Sequence, residues 1–260
     1  MLKIQNLRFS YDPSSPLFDR FNLTVSRASS VCLVGPDGAG KTTLLKLIKG
    51  LMAPSSGHIV FCDSPIRSQD VAYLGGDPRD SFVGLTVEEE IVFGPENLGL
   101  PVDEIRNRLN QALALTLLDG YQNRLTHTLS GGEQQKLALA SALVMDPQIL
   151  LIDDAFSMMD PPSRAGHWAW IKKLTTELRL TVIFTTNKLA ELRNSERVIF
   201  IDDASHELRF DGTPEQFVAS DLSAVWLQLE NGIDKLEAAL PKDILEAFSI
   251  ILKDGAGLRV

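Results

Sequence analysis

The sequence predicts an α/β fold, and three observations carry that expectation. Ser30–Val34 is a short continuous apolar run, followed by a Gly-rich turn and then helix-like text over Thr43–Ile48. Ile149–Ile152 is a second such run, closed by two aspartates, Asp153 and Asp154. Helix-like text over 163–179 leads into a third run, Thr181–Thr185. Unbroken apolar runs of this length fit strands buried on both faces, as in a parallel sheet covered by helices.

The remaining elements follow in order. Leu2, Ile4, Leu7 and Phe9 mark an opening strand, and Phe21, Leu23 and Val25 alternate over the next. The middle of the chain, about 84–145, is mostly helical. Thr86-Val87-Glu88-Glu89 fits a capping box, and Ile105, Leu109, Ala112, Leu113 and Leu117 recur at helical spacing. Ser130–Glu133 is a second capping box and opens a helix to about Met145, which Pro147 ends. Val198–Ile201 and Glu207–Phe210 form a late hairpin. Beyond Gly212, Phe217, Val225, Trp226 and Leu229 are spaced for helix, and Ile244, Leu245, Phe248, Ile251 and Leu252 form a stripe of period 3.6. This defines a domain over 1–212 and a small helical extension over 213–260, which either packs on its own domain or makes a dimer contact.

Composition bounds the function. The chain has 260 residues, 44% hydrophobic and 23% charged. That supports one large domain with a small appendage and excludes dominant disorder. The longest largely apolar stretch, Leu137–Met145, is broken by Ser141 and is far too short to span a membrane. Met1–Asp12 contains no apolar run of the kind a secretory signal needs. Cys32 and Cys62 both lie in strand-like text and read as reduced core residues of a cytosolic protein. The net charge is −9, and residues 202–260 hold 12 acidic against 5 basic residues. The rest is near balance, which argues against a nucleic-acid surface.

The chemistry lies in three motifs. Gly35-Pro36-Asp37-Gly38-Ala39-Gly40-Lys41-Thr42 matches G-x-x-x-x-G-K-[ST]. Its glycines let successive backbone N–H groups curl round phosphate oxygens, and the helix that begins beyond it adds a positive end. Lys41 reaches the β- and γ-phosphates, and the Thr42 hydroxyl is a ligand for Mg²⁺. Asp153 and Asp154 stand at the C-terminal end of a buried strand, the sheet edge where ligands bind. There Asp153 holds Mg²⁺, and Asp154 orients or deprotonates a water. Leu129-Ser130-Gly131-Gly132-Glu133 is, by itself, an ordinary capped helix start.

Between a phosphate loop and an apolar-Asp-Asp strand, however, Leu129–Glu133 resembles the signature of ATP-binding cassette (ABC) ATPases. The resemblance covers at least residues 1–212. It implies a P-loop NTPase fold with a helical signature subdomain at about 84–145, and ATP and Mg²⁺ as cofactors. It also implies a head-to-tail pair of cassettes, in which Ser130, Gly131, Gly132 and Glu133 serve the nucleotide of a second subunit. Thr43 closes the phosphate loop, Tyr11 matches the aromatic that stacks on adenine, and Asp160 in Ser157–Asp160 matches the acid of a Ser-Ala-Leu-Asp-like loop. Phe82–Pro101, with its Phe-Gly-Pro-Glu-Asn-Leu-Gly stretch, resembles the cassettes of energy-coupling-factor (ECF) vitamin and cobalt/nickel importers.

Three positions differ from the family pattern. Leu74-Gly75-Gly76-Asp77-Pro78 stands where the family has an aromatic-Gln-Asn-Pro-like loop, so Gly76 replaces a glutamine. Asp154 replaces a glutamate and is one methylene shorter. Asn187, in Thr185–Lys188, replaces a histidine and cannot carry charge. Phosphoryl transfer depends on positioning and electrostatics, and misplacing a reacting group by about an ångström costs on the order of 10²-fold. The expectation is therefore an ATPase subunit of an ECF-type importer, peripheral on the cytoplasmic side of the membrane. Its own site, formed by Lys41, Asp154 and Asn187, is weakened, and its signature completes a partner's site. The partners are a second cassette, a paralogue or an identical copy, and integral membrane subunits. The alternative is a regulatory or assembly cassette that binds ATP with little hydrolysis.

Overall fold

Alternating burial sets the first sheet. β1 (Leu2–Asp12) and β2 (Ser15–Val25) bury Leu2, Ile4, Leu7, Phe9, Phe18, Phe21, Leu23 and Val25 and leave the intervening residues mostly in water. The computed structural model describes residues 1–76, 82–156, 161–223 and 226. With β4 (Ser56–Phe61) and β5 (Ser64–Pro65) these strands form an antiparallel sheet in the order β2-β1-β4-β5.

The second sheet has the order β10-β9-β3-β8-β7-β6. Its strands are β3 (Ser30–Val34), β6 (Val71–Gly75), β7 (Ile149–Asp153), β8 (Thr181–Thr185), β9 (Arg197–Ile201) and β10 (Leu208–Gly212). β6, β7, β8, β3 and β9 run parallel, and β10 returns antiparallel as the late hairpin. The continuous apolar runs are explained by two cores. Val31, Leu33, Ile149 and Leu151 face the antiparallel sheet and α1 (Lys41–Lys49). Cys32, Val34, Leu150 and Ile152 face the opposite core, which includes Trp168 and Ile171 of α5 (Pro161–Leu178). Truncating one of these residues, such as Leu33, to alanine would cost about 2–5 kcal/mol.

The helical module has its own core. α2 (Val87–Asn97), α3 (Val102–Thr116) and α4 (Gly131–Leu143) meet through Val87, Ile91, Leu109, Ala112, Leu113, Leu137 and Ala140. Both capping boxes form: Thr86 accepts from Glu89 N at 3.2 Å, and Ser130 accepts from Glu133 N at 3.4 Å.

Two expectations change. Leu117 is not on the buried stripe of α3. It is the helix C-cap, left-handed at φ 56°, and 68% exposed; Thr116 takes the buried place. Cys62 is exposed and sits at φ 52° in the tight turn between β4 and β5, while Cys32 is buried. Beyond Gly212, α6 (Pro214–Val218) carries Phe217 into the core shared with Phe200, and Trp226 joins it at a ring distance of 5.8 Å. Ser157–Asp160, Asp77–Pro78, Val225, Leu229 and the stripe from Ile244 to Leu252 lie outside the described residues. Among the described residues, no helix is long and apolar enough to cross a membrane.

Candidate active site

The parallel sheet gathers the sequence-predicted residues along one edge. β3, β8, β7 and β6 are consecutive neighbours and all end on the same side. Gly75 pairs with Asp153, and Asp153 with Thr185. The phosphate loop, Asn187, Asp154 and Gly76 therefore follow the ends of four adjacent strands.

The loop after β3 is shaped by close approach. A Cβ on Gly40 would lie 2.7 Å from the Phe18 ring, and Gly40 is left-handed at φ 96°. Gly40 is also the N-cap of α1 and offers no side-chain cap; the first turn of α1 has no acidic residue, while Lys46 and Lys49 occupy the last. The positive end of the helix is thus left to an outside anion. The Lys41 ammonium donates to the carbonyls of Gly35 at 2.5 Å and Pro36 at 2.9 Å, within the loop itself. Pro36 and Ala39 are buried, whereas Asp37 and Gly38 face water.

Asp153 is held by three hydroxyls. Its Oδ1 accepts from the hydroxyls of Thr42 at 3.0 Å and Thr185 at 2.8 Å, and its Oδ2 accepts from Tyr73 at 2.9 Å. Burial, and then the nearby carboxylate, push the Tyr73 phenol above its ordinary range, so it remains a donor. The Thr42 hydroxyl and Asp153 carboxylate form a hard oxygen pair beside the phosphate loop. That donor chemistry suits a small divalent cation that keeps waters and phosphate oxygens as its other ligands.

The other predicted residues are placed as follows. Asp154 is exposed and left-handed at φ 49°. Asn187 is half-buried, and its neighbour Lys188 is lowered from the ordinary lysine range by burial and by Arg164, against the opposing pull of Glu191 and Asp154. Thr186 donates to Glu191 at 2.6 Å, and Arg164 pairs with Glu191 at 3.1 Å, bracing the segment that carries Asn187. Gly76 is left-handed at φ 71°. The Tyr11 hydroxyl lies 2.9 Å from that of Thr43, its ring packs edge-on with Phe9, and the residue is 67% exposed beside the loop.

The signature lies on the helical module, at the start of α4. Ser130 and Gly131 are exposed. Glu133 accepts from Ser130 N at 2.7 Å and from its hydroxyl at 2.8 Å, and it pairs with Arg124 at 3.0 Å. These bonds, the Ser130 N–H first, draw the Glu133 carboxyl down to about 2. The amide of Gln135 in α4 donates to the Ala155 carbonyl at 2.9 Å, which ties this helix to the chain just past Asp154. Sequence reading missed Tyr73, Thr185, Arg164 and Glu191. Only strand register and tertiary packing bring them here.

A phosphate loop, a three-donor aspartate and a capped signature helix on one chain agree with what comparison finds. The ABC transporter family model matches residues 18–157. The chain belongs to the ABC transporter ATPase family. An energy-coupling factor transporter ATP-binding protein of Leuconostoc mesenteroides is 36% identical over 242 residues, covering 90% of this chain and 86% of that protein. Another from Methanosarcina acetivorans is 36% identical over 237 residues, covering 88% and 85%. Among solved structures, cbiO1 from Clostridium perfringens, described as part of the ABC transporter complex cbiONQ, superposes with a TM-score of 0.78. It is 25% identical and covers 94% of this chain and 97% of that one. The chain is thus an ABC-type ATPase that binds ATP, and its relatives are ECF transporter subunits.

Proposed function

We propose that this ATPase is the energising subunit of an ECF-type importer, bound peripherally to the cytoplasmic face of the membrane and serving the uptake of a vitamin or a transition-metal ion. In this reading it pairs with a paralogous cassette and docks on integral membrane subunits.

The observation that carries the division of labour is the contrast between an intact, exposed signature and the three substitutions on the chain's own sheet edge. Lys41 and the loop backbone grip the phosphates, and Tyr11 stacks on the base. Thr42 and Asp153 hold Mg²⁺, which when bound neutralises phosphate charge. Asp154 orients the attacking water from one methylene too far away, and Asn187 donates a hydrogen bond where a charge would do more. Ser130 and Gly131 close the partner's site. Exposed apolar side chains on and beside the helical module, Val83, Leu85, Phe93, Leu98, Val102 and Leu117, are available for docking.

The test is purification in detergent, from the native host, through a tag on this chain, followed by identification of the proteins that accompany it. Recovery of a stoichiometric complex with a polytopic membrane protein and a second cassette is expected. Purification of this chain with soluble partners alone would overturn the transport reading in favour of a regulatory cassette.

A further inference from the structure

Tyr73 and Gly75 are two residues apart on β6 and share one face of the strand. Gly75 is in register with Asp153, and Tyr73 with Leu151, so the Tyr73 ring must lean along the strand to reach the acid. It does so across Gly75. A Cβ on Gly75 would lie 2.7 Å from the Tyr73 hydroxyl and 2.8 Å from both Cε1 and Cζ. Real Cβ atoms do not approach this closely, so a side chain at 75 would evict the ring. Asp153 Oδ1 already accepts from Thr42 and Thr185, whereas Oδ2 accepts from Tyr73.

We infer that Tyr73 is a positioning residue for Asp153, that it fixes the carboxylate with Oδ1 turned to Thr42, and that Gly75 is glycine to make room for it. The hydroxyl supplies, from inside β6, a polar contact to Oδ2 of Asp153. Gly76, the next residue, has no side chain with which to supply one. Outer-sphere donors of this kind orient a ligating carboxylate and are worth about tenfold or more in metal affinity. The inference rests on the proposed metal role of Asp153 and Thr42.

The experiment measures, by calorimetry on the full chain, the affinity for the non-hydrolysable β,γ-imido analogue of ATP with Mg²⁺ and with EDTA. The ratio of the two affinities reads the metal contribution alone. Tyr73→Phe is expected to lower that ratio about tenfold while leaving the EDTA affinity unchanged. Gly75→Ala should lower it as much in the natural background and no further in Tyr73→Phe, because the hydroxyl is already gone. Gly75→Ala leaves the phenol chemistry untouched, so it is an independent arm if Tyr73→Phe folds poorly. A Tyr73→Phe chain with an unchanged ratio, or one losing affinity equally with Mg²⁺ and EDTA, would overturn the inference. So would a Gly75→Ala loss of equal size in both backgrounds. A natural chain whose affinity Mg²⁺ does not raise would overturn the metal role of Asp153 itself, and the inference with it.

Discussion

The loop after β3 keeps the full phosphate-loop pattern, Gly35 to Thr42, whereas the ends of β6, β7 and β8 beside it carry Gly76, Asp154 and Asn187 in place of the longer or charged groups of the family pattern. The two regions rely on different parts of the chain. The loop binds through its backbone, whose path depends on contacts such as that of Gly40 against Phe18. A substitution there strains the chain. The neighbouring edge acts through side-chain tips beyond the last strand pairs, Gly75 with Asp153 and Asp153 with Thr185. Shortening Asp154 or neutralising position 187 leaves those pairs intact. Under the proposed function, phosphate binding and fold are therefore coupled, and turnover is separable from both.

The largest expected effect tests whether that separation is used between subunits. In the assembled complex with a paralogous cassette, Ser130→Arg puts a bulky cation at the exposed start of α4. It blocks closure on the partner's nucleotide, with ATPase activity falling on the order of 10²-fold or more. Asp154→Asn in the same complex should cost less than about threefold, because a site already missing its glutamate and histidine carries little of the flux. Equal and severe losses from the two variants would break the comparison and favour a symmetric pair.

Next in size is repair of the edge. Asp154→Glu with Asn187→His restores reach and charge and should raise turnover of the purified chain about tenfold or more, with ATP affinity unchanged. Unchanged turnover would mean that other residues compensate. Lys188, held among Arg164, Glu191 and Asp154, would then be the first to examine.

Which parts were legible in the sequence follows the same line. The phosphate loop, the Asp153–Asp154 pair and both capping boxes are local patterns, each readable within a few consecutive residues. Tyr73 and Thr185 were invisible because they meet Asp153 only through the pairing of β6 and β8 with β7, which no window of sequence contains. Cys62 was misread because alternation does not mark the turn between β4 and β5. Leu117 was misread because a left-handed C-cap is usually announced by glycine. Phe217 lies in α6, as its text suggests, but neither the end of that helix at Val218 nor the core that Phe217 and Trp226 enter was legible.

The smallest expected effect concerns how the signature at the start of α4 is held. Glu133 accepts from Ser130 N and Oγ and pairs with Arg124. Its carboxyl is drawn from 4.5 to about 2 in the folded chain. A depressed carboxyl stabilises the fold above its unfolded value, and that stabilisation fades as pH falls from about 4.5 toward 2. Glu133→Gln keeps a capping-box side chain but removes the charge, so at pH 7 it should cost no more than about 1 kcal/mol. The difference in melting temperature between the natural chain and the variant should be largest near neutrality and shrink steadily below pH 4.5. A difference that stays constant to pH 3 would mean that Ser130 is held by geometry alone. The signature would then resemble the phosphate loop, positioned by backbone and insensitive to charge. A difference that fades would place the signature between the two regions, with its backbone set by the helix and its aim set by one ionised side chain.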